Sequence, residues 1–191
     1  MVEKIAEDVY KISADGNVYV YLKPEVFVID ASDNRYKELI KKEIESLVPL
    51  EKIKKVLLTH LHFDHVGNLD LFPNAEVYAS EKELIDFKES HEIFFLDGVG
   101  KDVLDKLGKA KELEEGINGL KVIEVPGHTR GCVAFLDEGR KLLFSGDTLF
   151  VNGIGRTDLG NSIPEKMDES VKKLTNLVEK EGYKLCPGHD Y

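Results

Sequence analysis

His60-Leu61-His62-Phe63-Asp64-His65 packs three of the chain's six histidines, together with an aspartate, into six consecutive positions. The apolar run Val56-Leu57-Leu58 leads straight into it, so a buried strand over 54–59 is predicted to deliver the cluster to a loop. Side chains of an extended chain alternate with a period of two, which puts His60 and His62 on one side and lets Asp64 and His65 turn toward a neighbouring point. Imidazole nitrogens and carboxylate oxygens are the ligands that zinc and ferrous iron take. The plain alternative, a polar loop of surface histidines, has no use for such a concentration.

Working outward, residues 8–13, 17–22 and 25–31 read as a three-strand meander with turns at Asp15-Gly16 and Lys23-Pro24. The third strand is apolar enough to be central in its sheet and carries Asp30 to its end, either as a partner that orients a ligand or as a plain strand-end carboxylate. Tyr36, Leu39, Ile40, Ile44 and Leu47 recur at spacings of three and four, predicting a helix over 33–47 that Asp33 caps. After the histidines, Gly67-Asn68 opens a turn that closes near Pro73. A strand over 76–79 follows, then a helix capped by Ser80 with Glu83 at the capping-box position. Residues 86–118 show no clear period and are read as a flap over the site or an insertion. Within them the charge run 101–115 is read as a solvated helix face, and His91 as a surface or hinge residue outside the metal set. Strands are predicted over 120–125, 132–137 and 141–144, the last two joined at Glu138-Gly139, then a helix over 164–181 and a final strand over 183–186.

At 191 residues the chain has room for one domain, taken as 1–191. Apolar residues at 42% and charged ones at 32% fit a soluble globular protein and not a disordered one. No apolar run reaches membrane length, and the opening Met-Val-Glu-Lys-Ile lacks a signal peptide's apolar core, so a cytoplasmic location without membrane partners is expected. A net charge of −10 argues against nucleic acid, whose phosphates need basic surface. Cys132 and Cys186 lack CxxC spacing and are read as buried free thiols. The partner is then a small-molecule substrate; oligomeric state stays open.

Three further polar residues follow predicted strands, each directly after a glycine: His128 in Pro126-Gly127-His128-Thr129, Asp147 in Ser145-Gly146-Asp147-Thr148, and His189 in Pro187-Gly188-His189-Asp190. A backbone that bends sharply at a strand end to aim a side chain inward has a physical use for glycine. With these, the ordered set resembles the metallo-β-lactamase superfamily over essentially the whole chain. That resemblance implies an α/β fold, an αβ/βα sandwich of two mixed β-sheets with helices outside and metals at one edge. It implies that His60, His62 and His128 hold one divalent metal ion and Asp64, His65 and His189 a second, with Asp147 bridging. The metals would be zinc, with iron or manganese as alternatives. His62 stands where the superfamily's diiron flavoproteins carry glutamate, which disfavours that branch.

Gly146-Asp147-Thr148-Leu149-Phe150 followed by Gly153-Ile154-Gly155-Arg156 is similar to the glyoxalase II group. That resemblance implies Arg156 as an anchor for a substrate carboxylate and Tyr191 as a contact of the thiol carrier. It stops at Tyr191, before the helical domain with which glyoxalase II completes its glutathione site. The implied activity is binuclear metal-dependent hydrolysis of small thioesters by a metal-bound hydroxide, with Asp64 or Asp147 orienting the attack. A thiol, with a pKa near 8.5, leaves without a strong general acid. Arg156-Thr157-Asp158 and Pro187-Gly188-His189-Asp190-Tyr191, with Gly127-His128-Thr129-x-Gly131-Cys132-Val133, also resemble the persulfide dioxygenases, which share this ligand set but in which one iron would be held by His60, His128 and Asp147. A lactonase or other ester hydrolase is a third reading. A non-catalytic metal-binding module is a fourth, against which the intact Asp64 and Asp147 speak.

Overall fold

The computed structural model describes residues 2–96 and 98–191; the side chain of His91, and with it the surface or hinge role expected of that residue, lies outside the described part. Among the described residues, seven strands form one sheet in chain order: β1 (Val2–Ala6), β2 (Val9–Ile12), β3 (Val18–Tyr21), β4 (Phe27–Ile29), β5 (Lys55–Leu57), β6 (Glu76–Ala79) and β7 (Lys111–Glu112). The first four are antiparallel; β4 to β7 are parallel. The second sheet runs in the order β12-β11-β10-β9-β8, made of β8 (Gly116–Ile117), β9 (Leu120–Glu124), β10 (Val133–Asp137), β11 (Leu142–Gly146) and β12 (Lys184–Pro187). Only its β11–β12 pair is parallel. Both sheets are therefore mixed.

Alternation along the strands sorts the core into layers. Tyr19, Tyr21, Phe27, Ile29 and Leu57 of the first sheet face Val133, Phe135, Leu142 and Phe144 of the second, and fill the space between the sheets. Tyr19 meets Phe144 edge-on at 4.9 Å, and Tyr21 stacks on Phe27 at 4.4 Å. The intervening residues Val18, Val20, Val28 and Val56 point outward, under helix α1 (Lys37–Glu45) with Ile40 and Ile44. On the far side Ala134, Leu136 and Leu143 meet Leu174 of helix α5 (Pro164–Glu181). Strands buried on both faces must read as continuous apolar runs, which is why their periodicity is faint and their position in the chain clear. Helices α3 (Glu81–Ser90) and α4 (Lys101–Leu107) cover the first sheet with Leu84, Val103 and Leu107; the four-residue α2 (Phe63–Val66) belongs to the histidine loop. Helices, sheet, sheet, helices is the expected αβ/βα sandwich.

Three departures have physical reasons. β1 was not expected: it is a partly exposed edge strand whose composition, Val-Glu-Lys-Ile-Ala, carries little apolar signal. The charge run 101–115 is a solvated helix face only as far as Leu107, after which the chain enters β7 on one sheet and crosses to β8 on the other. Asp33 does accept a bond from Arg35 N at 2.7 Å, but it caps a 3-10 turn, Asn34–Tyr36, that precedes α1. Cys132 and Cys186 are buried free thiols, as expected. No helix among the described residues is long and apolar enough to cross a membrane.

Candidate metal centre

Five strands release their polar residues at one edge of the sandwich: β4 ends at Asp30, β5 runs through Thr59 to His60, and β9, β11 and β12 deliver His128, Asp147 and His189. The histidine loop supplies His62, Asp64 and His65. These side chains converge into three overlapping groups, His60–His62–His128, His60–His65–Asp147 and Asp64–His65–His189, whose ligand atoms lie within 4.8 Å of one another in each group. All seven residues that the resemblance implied as ligands are thus brought together, and all but Asp64 are buried.

Four of the five rings are aimed by a neighbour at their Nδ1. His60 Nδ1 lies 3.1 Å from Thr59 Oγ1, which itself donates to Asp30 Oδ2 at 2.8 Å. His65 Nδ1 donates to the same Asp30 oxygen at 2.9 Å, and Thr59 N–H donates to Asp30 Oδ1 at 2.9 Å. Asp30 is therefore the orienting carboxylate of the two alternatives the sequence left open. His128 Nδ1 donates to the Arg156 carbonyl at 2.7 Å, which leaves Nε2 as a lone pair 2.9 Å from His62 Nδ1. His189 Nδ1 lies 3.2 Å from Gly16 N and 3.5 Å from Asp15 Oδ1. Asp147 reaches both halves: its oxygens stand 3.2 Å from His65 Nε2, 3.3 Å from His189 Nε2 and 3.6 Å from His128 Nε2.

The electrostatics divide the centre. Burial, followed by the neighbouring rings, holds His60 well below the ordinary imidazole value; burial and His128 push His62 down to about 3. Burial also lowers His128. These three rings stay neutral and offer lone pairs. Burial opposes charge on His65 and His189 as well, yet Asp147 with Asp30 raises the first, and Asp147 with Asp64 raises the second to about 9. Burial works against ionisation of Asp147 and Asp64 too, but His65 and His189 hold both below the carboxylate range. Cations would take the place of these protons, since ligands bind metal in their deprotonated form.

Three of the ligand-type atoms, His60 Nε2, His62 Nε2 and Asp147 Oδ1, are buried and have no hydrogen-bond partner among the described residues. Asp147 Oδ1 lies within ion-pair distance of His65 Nε2, at 3.2 Å, without a hydrogen bond to it. Buried polar atoms are rarely orphaned. Divalent cations among them would satisfy all three, so the donor set fits the metals that the sequence implied.

One supporting residue was hidden. Ser80 Oγ does accept Glu83 N–H, at 3.3 Å, but the Glu83 carboxylate does not complete the capping box. It takes Leu61 N–H at 2.9 Å on one oxygen, and Thr129 Oγ1 at 2.6 Å and Gly131 N–H at 3.1 Å on the other. Leu61 lies between His60 and His62, and Thr129 follows His128, so Glu83 ties two ligand loops together. The only signal for it in the sequence, a glutamate three residues after a serine, is also the signal of an ordinary cap.

A cavity of about 530 Å³ opens over the centre, lined by His62, Asp64, His128, Asp147 and His189 and walled by apolar side chains. Arg156 and Tyr191 both line it. The Arg156 guanidinium is engaged by Asp158 through two bonds of 2.8 and 3.0 Å, and the Tyr191 ring stacks on His189 at 5.1 Å. Of residues 86–118, Phe95 borders the cavity, its ring 5.9 Å from that of His62.

The sequence model of the metallo-beta-lactamase superfamily matches residues 14–189. The chain belongs to the metallo-beta-lactamase superfamily. A probable metallo-hydrolase of Streptococcus pyogenes serotype M6 is 32% identical over 97% of this chain and 83% of its own length. The hydroxyacylglutathione hydrolase of Francisella philomiragia is 35% identical over 73% of this chain; the match spans about half (50%) of that relative's length. Among solved structures, TTHA1623 in a di-iron-bound form superposes with a TM-score of 0.70 at 31% identity, covering 92% of this chain and 88% of that one. The family and its metallo-hydrolase relative together support a metal-dependent hydrolase, and the family with its di-iron neighbour points to two divalent metal ions at the His/Asp clusters.

Proposed function

We propose that this chain hydrolyses small thioesters, using two divalent cations held by His60, His62 and His128 on one side and Asp64, His65 and His189 on the other, with Asp147 between them. The observation that carries the reading is the convergence of seven ligand-type side chains, three of them with an orphaned buried atom and five of them lining one cavity. When bound, the cations lower the pKa of a water toward neutrality and polarise an acyl oxygen.

The chain's own residues support a water nucleophile. Among the described residues, no serine, threonine, cysteine or lysine lines the cavity. Both cysteines are buried with raised pKa, Cys186 to about 12, so neither supplies a thiolate. Asp64 and Asp147, kept ionised by His189 and His65 against the effect of burial, are the acceptors that orient the water. In the reaction water adds to the acyl carbon, the C–S bond breaks with its electron pair going to sulfur, and a carboxylic acid and a thiol are released. Tyr191, which lines the cavity and carries its phenol proton at neutral pH, would be the O–H donor beside the leaving group. The dioxygenase reading, with one iron held by His60, His128 and Asp147, predicts oxygen uptake with a persulfide in place of thiol release.

The test is thiol release from S-lactoylglutathione and from a simple acyl thioester, by protein loaded in turn with zinc, iron and manganese. Release from at least one ester that stops with a chelator and returns with metal is expected. Absence of release with all three metals contradicts the proposal.

A further inference from the structure

We infer that the thioester taken here carries an apolar acyl chain on an uncharged thiol, and not a polyanionic carrier. The inference rests on the thioester reading and deepens it.

The walls of the cavity point to the acyl chain. Phe63, Phe95, Phe150, Ile154, Leu159 and Tyr191 line it. Among the described residues six large hydrophobics are exposed; Phe95 (47%), Ile154 (47%) and Tyr191 (64%) line this cavity, and Val151 (68%) lies on the same loop as Ile154. Exposed apolar side chains scattered singly mean little, whereas a contiguous group at the mouth of a pocket marks a surface that something apolar covers. The groove has two sides. Phe95 stands by His62 with its backbone at φ +57, a conformation that a bulky residue adopts only when its surroundings impose it. At the His189 end of the centre, Phe150 and Tyr191 meet edge-on at 5.3 Å. An acyl carbon held at the ligands has its chain leaving between these aromatic walls.

Charge points to the carrier. Apart from imidazoles, Arg156 is the only cationic side chain among the described residues lining the cavity, and Asp158 matches its charge. Lys11, near the C-terminal strand, is likewise engaged by Asp190. A carrier with two or more carboxylates or phosphates meets no unmatched protein cation here, on a chain of net charge −10. For Arg156 to anchor a substrate carboxylate it must leave Asp158; an uncharged thiol asks nothing of it.

The experiment measures kcat/KM of metal-loaded enzyme on acetyl, butanoyl and hexanoyl esters of two thiols, N-acetylcysteamine (uncharged) and glutathione (anionic). On N-acetylcysteamine, kcat/KM is expected to rise about tenfold or more from acetyl to hexanoyl, since each buried methylene favours binding. For the same acyl group it is expected to fall about tenfold on glutathione. Ile154→Ser, at an exposed position, should flatten the chain-length dependence, and Asp158→Asn should raise the glutathione to N-acetylcysteamine ratio several-fold by releasing Arg156. Rates that are flat in chain length, or faster on glutathione esters, overturn the inference and leave the thioester reading standing. No release from any of the six esters overturns both.

Discussion

Glu83 shows how much one side chain beyond the ligands can decide. Its three donors come from the loops of His62 and His128, whose facing nitrogens stand only 2.9 Å apart, so the glutamate sets a spacing that the rings themselves do not. A glutamine in its place turns an N–H toward either Leu61 N or Gly131 N and loses one of those bonds whichever way it flips. Burial raises the Glu83 pKa from 4.5 to about 7, the three donors notwithstanding. Because the folded value lies above the unfolded one, the folded state binds the proton more tightly. The stability it contributes is complete below about pH 4.5 and is lost as the pH rises through about 7. In chelated protein, the unfolding free energy of the wild type relative to Glu83→Gln should therefore fall by about 2 to 3 kcal/mol between about pH 5 and about pH 8, read from urea melts. A difference that does not move with pH contradicts the account of this residue.

At the scale of the elements, the centre is an arrangement of strand ends, and the glycines before the ligands make the ends meet. Gly146 holds φ +52, and a Cβ there would come within 2.8 Å of Thr59, the residue that aims His60. At Gly188 the limit is contact: a Cβ would stand 2.2 Å from Asp147 Oδ1 and 2.9 Å from His65 Cε1. Gly188→Ala should therefore displace two ligands at once, lowering bound metal by about one ion per chain and stability by roughly 1 to 3 kcal/mol. Metal analysis beside a melting curve reads both; full metal content with an unchanged melt would show that the close approach is not needed. The glycines and the histidine cluster were legible because each is a local signal, a residue type at a fixed offset from an apolar run. The central strands were legible for the same reason. β1, β7 and β8 were not, being short edge pieces of two to five residues whose pairing partners, not their composition, make them strands. Glu83 was illegible for a related reason: its role depends on loops 22 and 46 positions away that only the folded chain brings to it.

Across the whole molecule, two sheets that share one aromatic core deliver the candidate ligands from both halves of the chain to a common edge. Asp30, His60, His62, Asp64 and His65 come from the first sheet and its loop, and His128, Asp147 and His189 from the second. Neither sheet holds a complete set, so the centre is a product of the sandwich and not of a motif. Its carboxylates and orphaned nitrogens are arranged for cations, and everything argued for catalysis depends on that. The most direct test is the divalent transition-metal content of protein purified without chelator and then dialysed against zinc, iron or manganese, measured by elemental mass spectrometry. Close to two ions per chain is predicted, falling to one or fewer in Asp147→Asn. A wild type that takes up none of the three metals, or an Asp147→Asn variant that holds as much as the wild type, would contradict the account.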